Sequence, residues 1–456
     1  MKLKPISILG TSSDSGKSTL TFVIAKILQE LGYSVAPFKA QNVSNNAMVC
    51  DDQREIAVAQ HFQASILGVP TSYHLNPILL KTGRRNHSSL IVEGRVVADT
   101  QVLEYYRDLD RLKPAVKSSF EYLYNKYDCV VCEGAGSPVE LNLMDKDLSN
   151  IYIATEFKTK IILVADIEKG GVFASIWGVY NLLPKALRER VIGVIVNKFR
   201  GDLSLFDEGV RIIQEEFGIP VLGVLPYMPF NLGFEDSQSL LNYQQKSDSS
   251  AKRVGVIAYP TMSNYNDFEP LIANPKISLE FIKSNISLEG FDQVILPGSK
   301  LVMQDLQWLK ESGLFAQLQK STTALLGICG GYQMMFQTII DNDAIEAETP
   351  TQMEGLGFID DTIIFEKKKI LKRGVYTLFG KRVNGFEIHH GISAKYPLFY
   401  QSDHIQGTFV HGLFDDEVFE TYKKETIEEF VETMKSRLDV EKIVENISAK
   451  KEGEIL

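Results

Sequence analysis

Two groups of residues in this chain are spaced for chemistry. The first is Gly10-Thr11-Ser12-Ser13-Asp14-Ser15-Gly16-Lys17-Ser18-Thr19, which follows a short apolar run and precedes a helix-length amphipathic stretch. A loop in that place turns several backbone N–H groups toward phosphate oxygens at the positive end of the following helix. Lys17 would neutralise the β and γ phosphates and the Ser18 hydroxyl would hold Mg²⁺. Gly10 stands one residue earlier than the usual phosphate-loop spacing, and Thr11 takes its place. The second group is Gly327-Ile328-Cys329-Gly330-Gly331-Tyr332-Gln333. A cysteine between an apolar run and a helix start, flanked by glycines, reads as a nucleophile elbow. The Gly330 N–H and the backbone around Gly298 would receive an oxyanion. His411, closing the apolar run Gly407–His411, would accept and return the proton.

Other residues fall near these two groups by pattern. Glu133 follows an apolar strand and opens Glu133-Gly134-Ala135-Gly136-Ser137-Pro138, where a carboxylate suits Mg²⁺. Asp51, Asp52, Asp145 and Asp147 are further carboxylates in loop-like sequence, with Asp51 taken as an additional metal ligand. Asn197-Lys198-Phe199-Arg200 begins like a guanine-reading motif but has Arg200 where the aspartate would stand. The reading is therefore adenine, with Asn197 bonding the base and ATP as the nucleotide. His389 and His390 lack the partners a metal site needs and read as substrate contact or loop structure.

The elements that must position these groups form two α/β patterns. Apolar runs Ile6–Gly10, Ser34–Phe38, Cys129–Glu133, Ile161–Asp166, Val191–Asn197 and Val221–Leu225 alternate with amphipathic stretches, as in a parallel sheet covered on both faces. Gly10, Glu133, Asp166 and Asn197 then share the carboxyl edge, where such sheets bind ligands. A polar stretch at 231–252 reads as a linker, and a second pattern starts at Val254 and continues through Val294–Pro297, Ala324–Ile328 and Gly407–His411. The expected domains are 1–230, a linker 231–252, 253–435, and a charged C-terminal tail 436–456.

At 456 residues the chain exceeds what one core usually spans. Its 44% hydrophobic and 23% charged composition is that of a globular protein, and the net charge of −10 argues against a nucleic-acid surface. No apolar run approaches the length needed to cross a bilayer, and the chain is expected in the cytoplasm. Of the four cysteines, Cys129 and Cys132 sit within a strand-like run and read as buried structural thiols. Nothing in the sequence sets the oligomeric state.

With these residues assembled, the chain resembles the cobyric acid synthases, the glutamine-hydrolysing enzymes of cobalamin biosynthesis. The resemblance runs from about Ile6 to Asp415. It is carried by the phosphate loop, Ala36-Pro37-Phe38-Lys39-Ala40-Gln41-Asn42, Asn76-Pro77-Ile78-Leu79-Leu80-Lys81, the Glu133 motif, Val164 to Ala174 and Asn197-Lys198-Phe199-Arg200-Gly201-Asp202. The loop and the Glu133 motif also look like dethiobiotin synthetase. The resemblance implies an N-terminal P-loop, dethiobiotin synthetase-like parallel-sheet domain and a C-terminal class I glutamine amidotransferase-like α/β domain. It implies ATP-driven amidation of the b, d, e and g carboxylates of a corrinoid, adenosylcobyrinic acid a,c-diamide, with glutamine as ammonia donor. Lys39, Gln41, Asn42 and Asn46, with Asp145 and Asp147, are implied on the substrate side. Ammonia made at Cys329 would have to reach the acyl phosphate unprotonated, which predicts a shielded route.

The chain departs from the resemblance in two places. Val43-Ser44-Asn45 replaces the more usual Met-Ala-Leu, and Leu413 stands where related amidotransferases carry an orienting acid two residues after the histidine. His411 would then act in a dyad or borrow a carboxylate such as Asp415. Alternatives at this level are cobyrinic acid a,c-diamide synthase, a non-catalytic P-loop ATPase or regulatory protein, and a fused cell-wall amidating pair.

Overall fold

The computed structural model describes residues 2–82, 87–101, 105, 107–230, 232–233 and 251–448. They form two compact units: Met1–Ser44, Ala59–Phe230 and Lys424–Leu456 make the first, Asn45–Val58 and Asn231–Lys423 the second.

The first unit is built on six parallel strands in the order Val221–Pro226, Val191–Phe199, Lys160–Asp166, Ile6–Gly10, Cys129–Glu133, Val35–Phe38. The apolar runs are continuous because both faces are covered. On one face Leu163, Ala165, Val194 and Val196 pack with Val172, Ile176 and Val179 of the helix Val172–Leu182. The helix Lys17–Glu30 buries Leu20, Val23, Ile24, Ile27 and Leu28. It begins at Gly16 in the left-handed region, φ 99°, and stops at Gly32, φ 93°.

A smaller sheet joins Gln41–Val43, Ile78–Thr82, His87–Val92 and Arg95–Gln101. Its last hairpin turns on Glu93-Gly94, both with positive φ, between the paired Val92 and Arg95. That is the two-residue turn whose twist matches the strands it joins.

The second unit contains a six-stranded sheet in the order Ile277–Ile282, Lys252–Ile257, Gln293–Leu296, Ala324–Ile328, Ile405–Thr408, Phe399–Gln401, parallel except for the last strand. A five-stranded sheet is built around the long antiparallel pair Ile359–Leu378 and Lys381–Ile392. The expected strand Gly407–His411 is divided between the two sheets. Thr408 pairs with Ile328, and after Phe409 the strand Val410–His411 pairs with Glu387 and Phe386.

The expected boundaries differ from the units in two places. Residues Asn45–Val58 belong to the second unit, although they lie within 1–230. The C-terminal segment from Lys424 belongs to the first. The helix Val440–Ile447 and the part of the helix Glu417–Lys435 that follows Lys424 bury Phe430, Val431, Met434, Ile443 and Ile447 rather than leaving a tail. Leu3 bridges Ser448 and Gly223 bridges Leu438. Of the expected linker, residues 231 and 234–250 lie outside the described residues, as do 449–456 of the expected tail. Cys129 and Cys132 are buried and unbridged, and burial pushes the Cys129 thiol up to about 12. Among the described residues no helix is long and apolar enough to cross a membrane.

Phe430 closes an aromatic cluster, with ring centroids 4.6 Å from Phe230 and 6.1 Å from Phe22. Truncating a buried ring of this kind costs about 3–5 kcal/mol. Phe430→Ala should lower the unfolding midpoint of the first unit in urea titration, with no change in the second unit's transition.

Candidate functional site

In the first unit, strand Ile6–Gly10 ends in the loop that carries Lys17 and Ser18. Thr11 N–H still bonds Val164 O at 2.8 Å, so the strand runs on one residue before the loop turns away. Lys17 Nζ folds back to Ser12 O at 3.0 Å. Asp14 adopts φ 57°, and Lys198 Nζ reaches its carbonyl at 2.6 Å and Asp166 Oδ2 at 3.0 Å. Thr19 lies in the first turn of the helix Lys17–Glu30.

Asn197, expected against the base, has its amide on the loop instead. Nδ2 donates to Ser15 O at 2.9 Å, and a Cβ on Gly16 would fall 2.2 Å from that nitrogen. Asn197 is thus a latch on the phosphate loop, and its closeness together with φ 99° disfavours a side chain at position 16. Arg200, in the place of the missing aspartate, bonds Glu168 and lies over the Tyr227 ring.

Glu133 is the hub beside this loop. Oε1 accepts from Ser18 Oγ and from Lys39 Nζ, each at 2.7 Å. Oε2 accepts from Gln63 at 2.8 Å and from Gln60 at 3.3 Å. Asn42 Nδ2 in turn holds Gln60 Oε1 at 3.0 Å. Burial alone would push the Glu133 carboxyl up, but the Lys39 charge and these hydrogen bonds outweigh it and hold it below the usual range.

Of the residues implied on the substrate side, Lys39 and Asn42 thus join the Glu133 network. Gln41 pairs through its backbone with Ser149 Oγ. Asp147 accepts from Ser149 N, Asn150 N and Asn150 Nδ2 in the turn before the helix Ile151–Glu156. Asp145 is exposed.

The oxygen set at Ser18 and Glu133 suits a hard cation such as Mg²⁺. Ser15 Oγ is buried without a hydrogen-bond partner among the described residues, as expected of a loop shaped for an anion. Asp51, expected to join the metal ligands, belongs to the second unit, 3.7 Å from the Arg373 guanidinium.

In the second unit, strand Ala324–Ile328 delivers Cys329 at φ 50°, ψ −104°, a strained elbow that ends in the short helix Gly330–Met334. The strain is held by Cys329 N–H to Thr408 O at 2.8 Å and Gln333 N–H to Cys329 O at 3.0 Å. Two close approaches demand glycine here. A Cβ on Gly331 would lie 2.0 Å from Leu296 O, and one on Gly330 would lie 2.6 Å from Ser299 N. Gly331 N–H is used by Pro297 O at 2.9 Å. Gly298 flanks the histidine, since a Cβ there would be 3.1 Å from His411 Cε1. Cys329, His411, Gly298 and Gly330 therefore converge.

The sequence reading missed the acid. Asp267 Oδ2 lies 2.6 Å from His411 Nδ1, and its Oδ1 accepts Gly412 N–H at 3.0 Å. Leu413 is no obstacle, because the acid comes from the turn Tyr265–Phe268. Asp415, the carboxylate the sequence offered, is not His411's partner: burial and the charge of Asp267 push it up to about 7. Phe386 stacks on the imidazole with centroids 5.0 Å apart. His389 has its own partners, Gly391 O at 2.7 Å and Glu387 Oε2 at 3.4 Å. Asn46 also falls in the second unit, where its Oδ1 accepts Asn264 N–H at 2.7 Å.

Burial opposes a charge on His411, but the Asp267 carboxylate, Cys329 and hydrogen bonds to both outweigh it and raise its pKa from 6.5 to about 10. A raised pKa stabilises the fold fully below the ordinary 6.5, and that contribution is lost as pH rises through about 10. Resistance of the second unit to urea should therefore weaken across this window, and in Asp267→Asn that loss should be smaller. The same substitution should lower glutamine hydrolysis by about 10²–10⁴-fold, the usual worth of a positioned general acid–base group.

Residues 6–231 match the family model described as the CobQ/CobB/MinD/ParA nucleotide binding domain, and 253–419 match the CobB/CobQ-like glutamine amidotransferase domain. The chain is 63% identical to the cobyric acid synthase of Acinetobacter baylyi, over 98% of this chain and 99% of that one. It is 40% identical to the cobyric acid synthase of Anoxybacillus flavithermus, over 91% and 87%. It is 38% identical to the probable cobyric acid synthase of Methanosarcina barkeri, over 91% and 89%. The phosphate loop with its Glu133 hub and the cysteine elbow with its histidine thus occur in one chain alongside full-length relatives, and the chain belongs to the cobyric acid synthase family.

Proposed function

We propose that this protein uses ATP and glutamine to amidate the b, d, e and g carboxylates of adenosylcobyrinic acid a,c-diamide, giving adenosylcobyric acid. The observation that carries the reading is the presence in one chain of a phosphate loop facing a buried Glu133 and a cysteine elbow with His411 and Asp267. Neither alone joins nitrogen to a carboxylate, and together they supply both an activated acid and ammonia.

In the second unit, the Cys329 sulfur attacks the carboxamide carbon of glutamine while its proton resides on His411. The Gly330 N–H and the backbone at Gly298 face the oxyanion that forms. The imidazolium then gives its proton to the departing ammonia, and Asp267 holds the ring in register through Nδ1. Water releases glutamate from the thioester.

In the first unit, Lys17 would hold the β and γ phosphates and Ser15 through Thr19 would line the loop, with Ser18 and Glu133 as the oxygen ligands of Mg²⁺. Mg²⁺ when bound neutralises charge on the phosphates. A carboxylate is a poor acyl donor, and phosphate from ATP becomes its leaving group before ammonia enters. Lys39, which bonds Glu133, would meet an anionic substrate group. The four unbridged cysteines and the use of ATP fit a cytoplasmic enzyme.

The test is mass spectrometry of the corrinoid incubated with protein, ATP, Mg²⁺ and glutamine. Four successive replacements of OH by NH₂, each lowering the mass by about one unit, are expected. Amidation of the unamidated corrinoid instead would move the reading to the a,c-diamide synthase. Cys329→Ala should lose the glutamine-dependent reaction and keep the ammonia-dependent one. Lys17→Ala should lower both by roughly 10²-fold or more.

A further inference from the structure

The segment Asn45–Val58 lies in sequence between Asn42 and Gln60, the amides that lead to Glu133, yet it folds as part of the second unit. It forms the antiparallel hairpin Ala47–Val49 with Glu55–Ala57, closed by Val58 N–H to Asn46 O at 3.2 Å. The hairpin is anchored on the long strand pair. Glu55, wholly buried, bonds Lys369 Nζ at 2.8 Å, Val49 O accepts from Arg373 at 3.2 Å, and Arg373 N–H donates to Gln53 at 2.9 Å.

At its base stands Asn46. Its Oδ1 accepts the Asn264 N–H at 2.7 Å, and Ala47 N–H points to Asn264 Oδ1 at 3.4 Å. Asn264 adopts a left-handed conformation, φ 57°, ψ 53°, which asparagine enters more readily than other residues with a Cβ and which its hydrogen bonds to Asn46 and Ala47 hold here. From Asn264 the chain enters the turn that carries Asp267, and Asp267 N–H bonds Asn264 O at 3.1 Å. The Asn264 side chain ends 3.0 Å from His411 Nε2 and 3.4 Å from Nδ1. Asn46, Asn264, Asp267 and His411 are all buried, and a buried donor left without its acceptor is costly.

We propose that Asn46 is a positioning residue of the glutaminase site: by accepting the Asn264 N–H it fixes the left-handed start of the turn that aims Asp267 at His411. This rests on the reading of Cys329, His411 and Asp267 as a glutaminase. It replaces the corrinoid-side role that the sequence resemblance implied for Asn46.

The test compares full-length wild type, Asn46→Ala, which removes the acceptor, and Asn46→Asp, which keeps one. Glutamine hydrolysis and ammonia-dependent corrinoid amidation are measured on the same preparations. For Asn46→Ala, kcat for glutamine is expected to fall on the order of 10- to 100-fold with KM changed by less than about threefold, the scale of a catalytic group misplaced by about an ångström. Asn46→Asp should restore kcat to within about threefold, and ammonia-dependent amidation should stay within about twofold of wild type in both. If Asn46→Ala does not fold, Asn46→Ser is judged by the same criteria. A wild-type kcat in the alanine variant, failure of the aspartate to restore it, or an equal loss with ammonia would overturn the proposal. Cys329→Ala runs in parallel. Hydrolysis persisting there sinks the glutaminase reading itself, whereas loss there with full activity in Asn46→Ala sinks only the role of Asn46.

Discussion

An imidazole sealed from water cannot carry a proton unless something shares the charge, and at His411 that partner is Asp267. The pair decides much of the second unit's construction. It requires a strand end that brings His411 inward, a turn that returns Asp267 from well upstream, and the Gly412 N–H to occupy the second carboxylate oxygen. The strained Cys329 elbow and the glycines at 330 and 331 then fit around an already fixed ring. Remove the carboxylate and the remaining parts would surround a histidine that burial keeps neutral.

Glu133 is the corresponding constraint in the first unit. A carboxylate at the end of a central parallel strand is buried by the fold itself, so it must be surrounded by donors. Ser18, Lys39, Gln60 and Gln63 supply them, from three separate segments that the hub gathers. The lysine and the two glutamines leave the buried carboxylate without an unpaired charge.

What the sequence made legible follows from local physics. Continuous apolar runs ending in Gly10, Glu133, Asp166 and Asn197 are strands whose carboxyl ends share an edge, and the strand ends of the sheet agree closely with them. The cysteine elbow shows because small residues must cluster where backbones touch. Asp267 did not show, since a residue in a turn carries no periodicity linking it to a histidine in a distant strand, and the search stopped at Leu413 and Asp415. The hairpin within 45–58 was hidden by its position, because a segment inside one domain's sequence is read with that domain. The long pair Ile359–Leu378 and Lys381–Ile392 was also missed: Lys367, Lys368 and Lys369 interrupt its apolar pattern, and only Lys369 proves to be drawn inward, by Glu55.

The exchange of segments between the units sets an order on how the chain can be made. The hairpin of 45–58 leaves the ribosome with the first unit but is completed only by residues that come much later. The first unit in turn waits for Phe430 and the helix Val440–Ile447, which emerge last. Neither unit is whole when the chain has reached the stretch around 231–250, so domain-by-domain folding during synthesis is closed to it. For the same reason a gene cut in that stretch would yield two polypeptides that each lack a buried piece held by the other. A working split of this enzyme would need both segments moved to the other side of the cut.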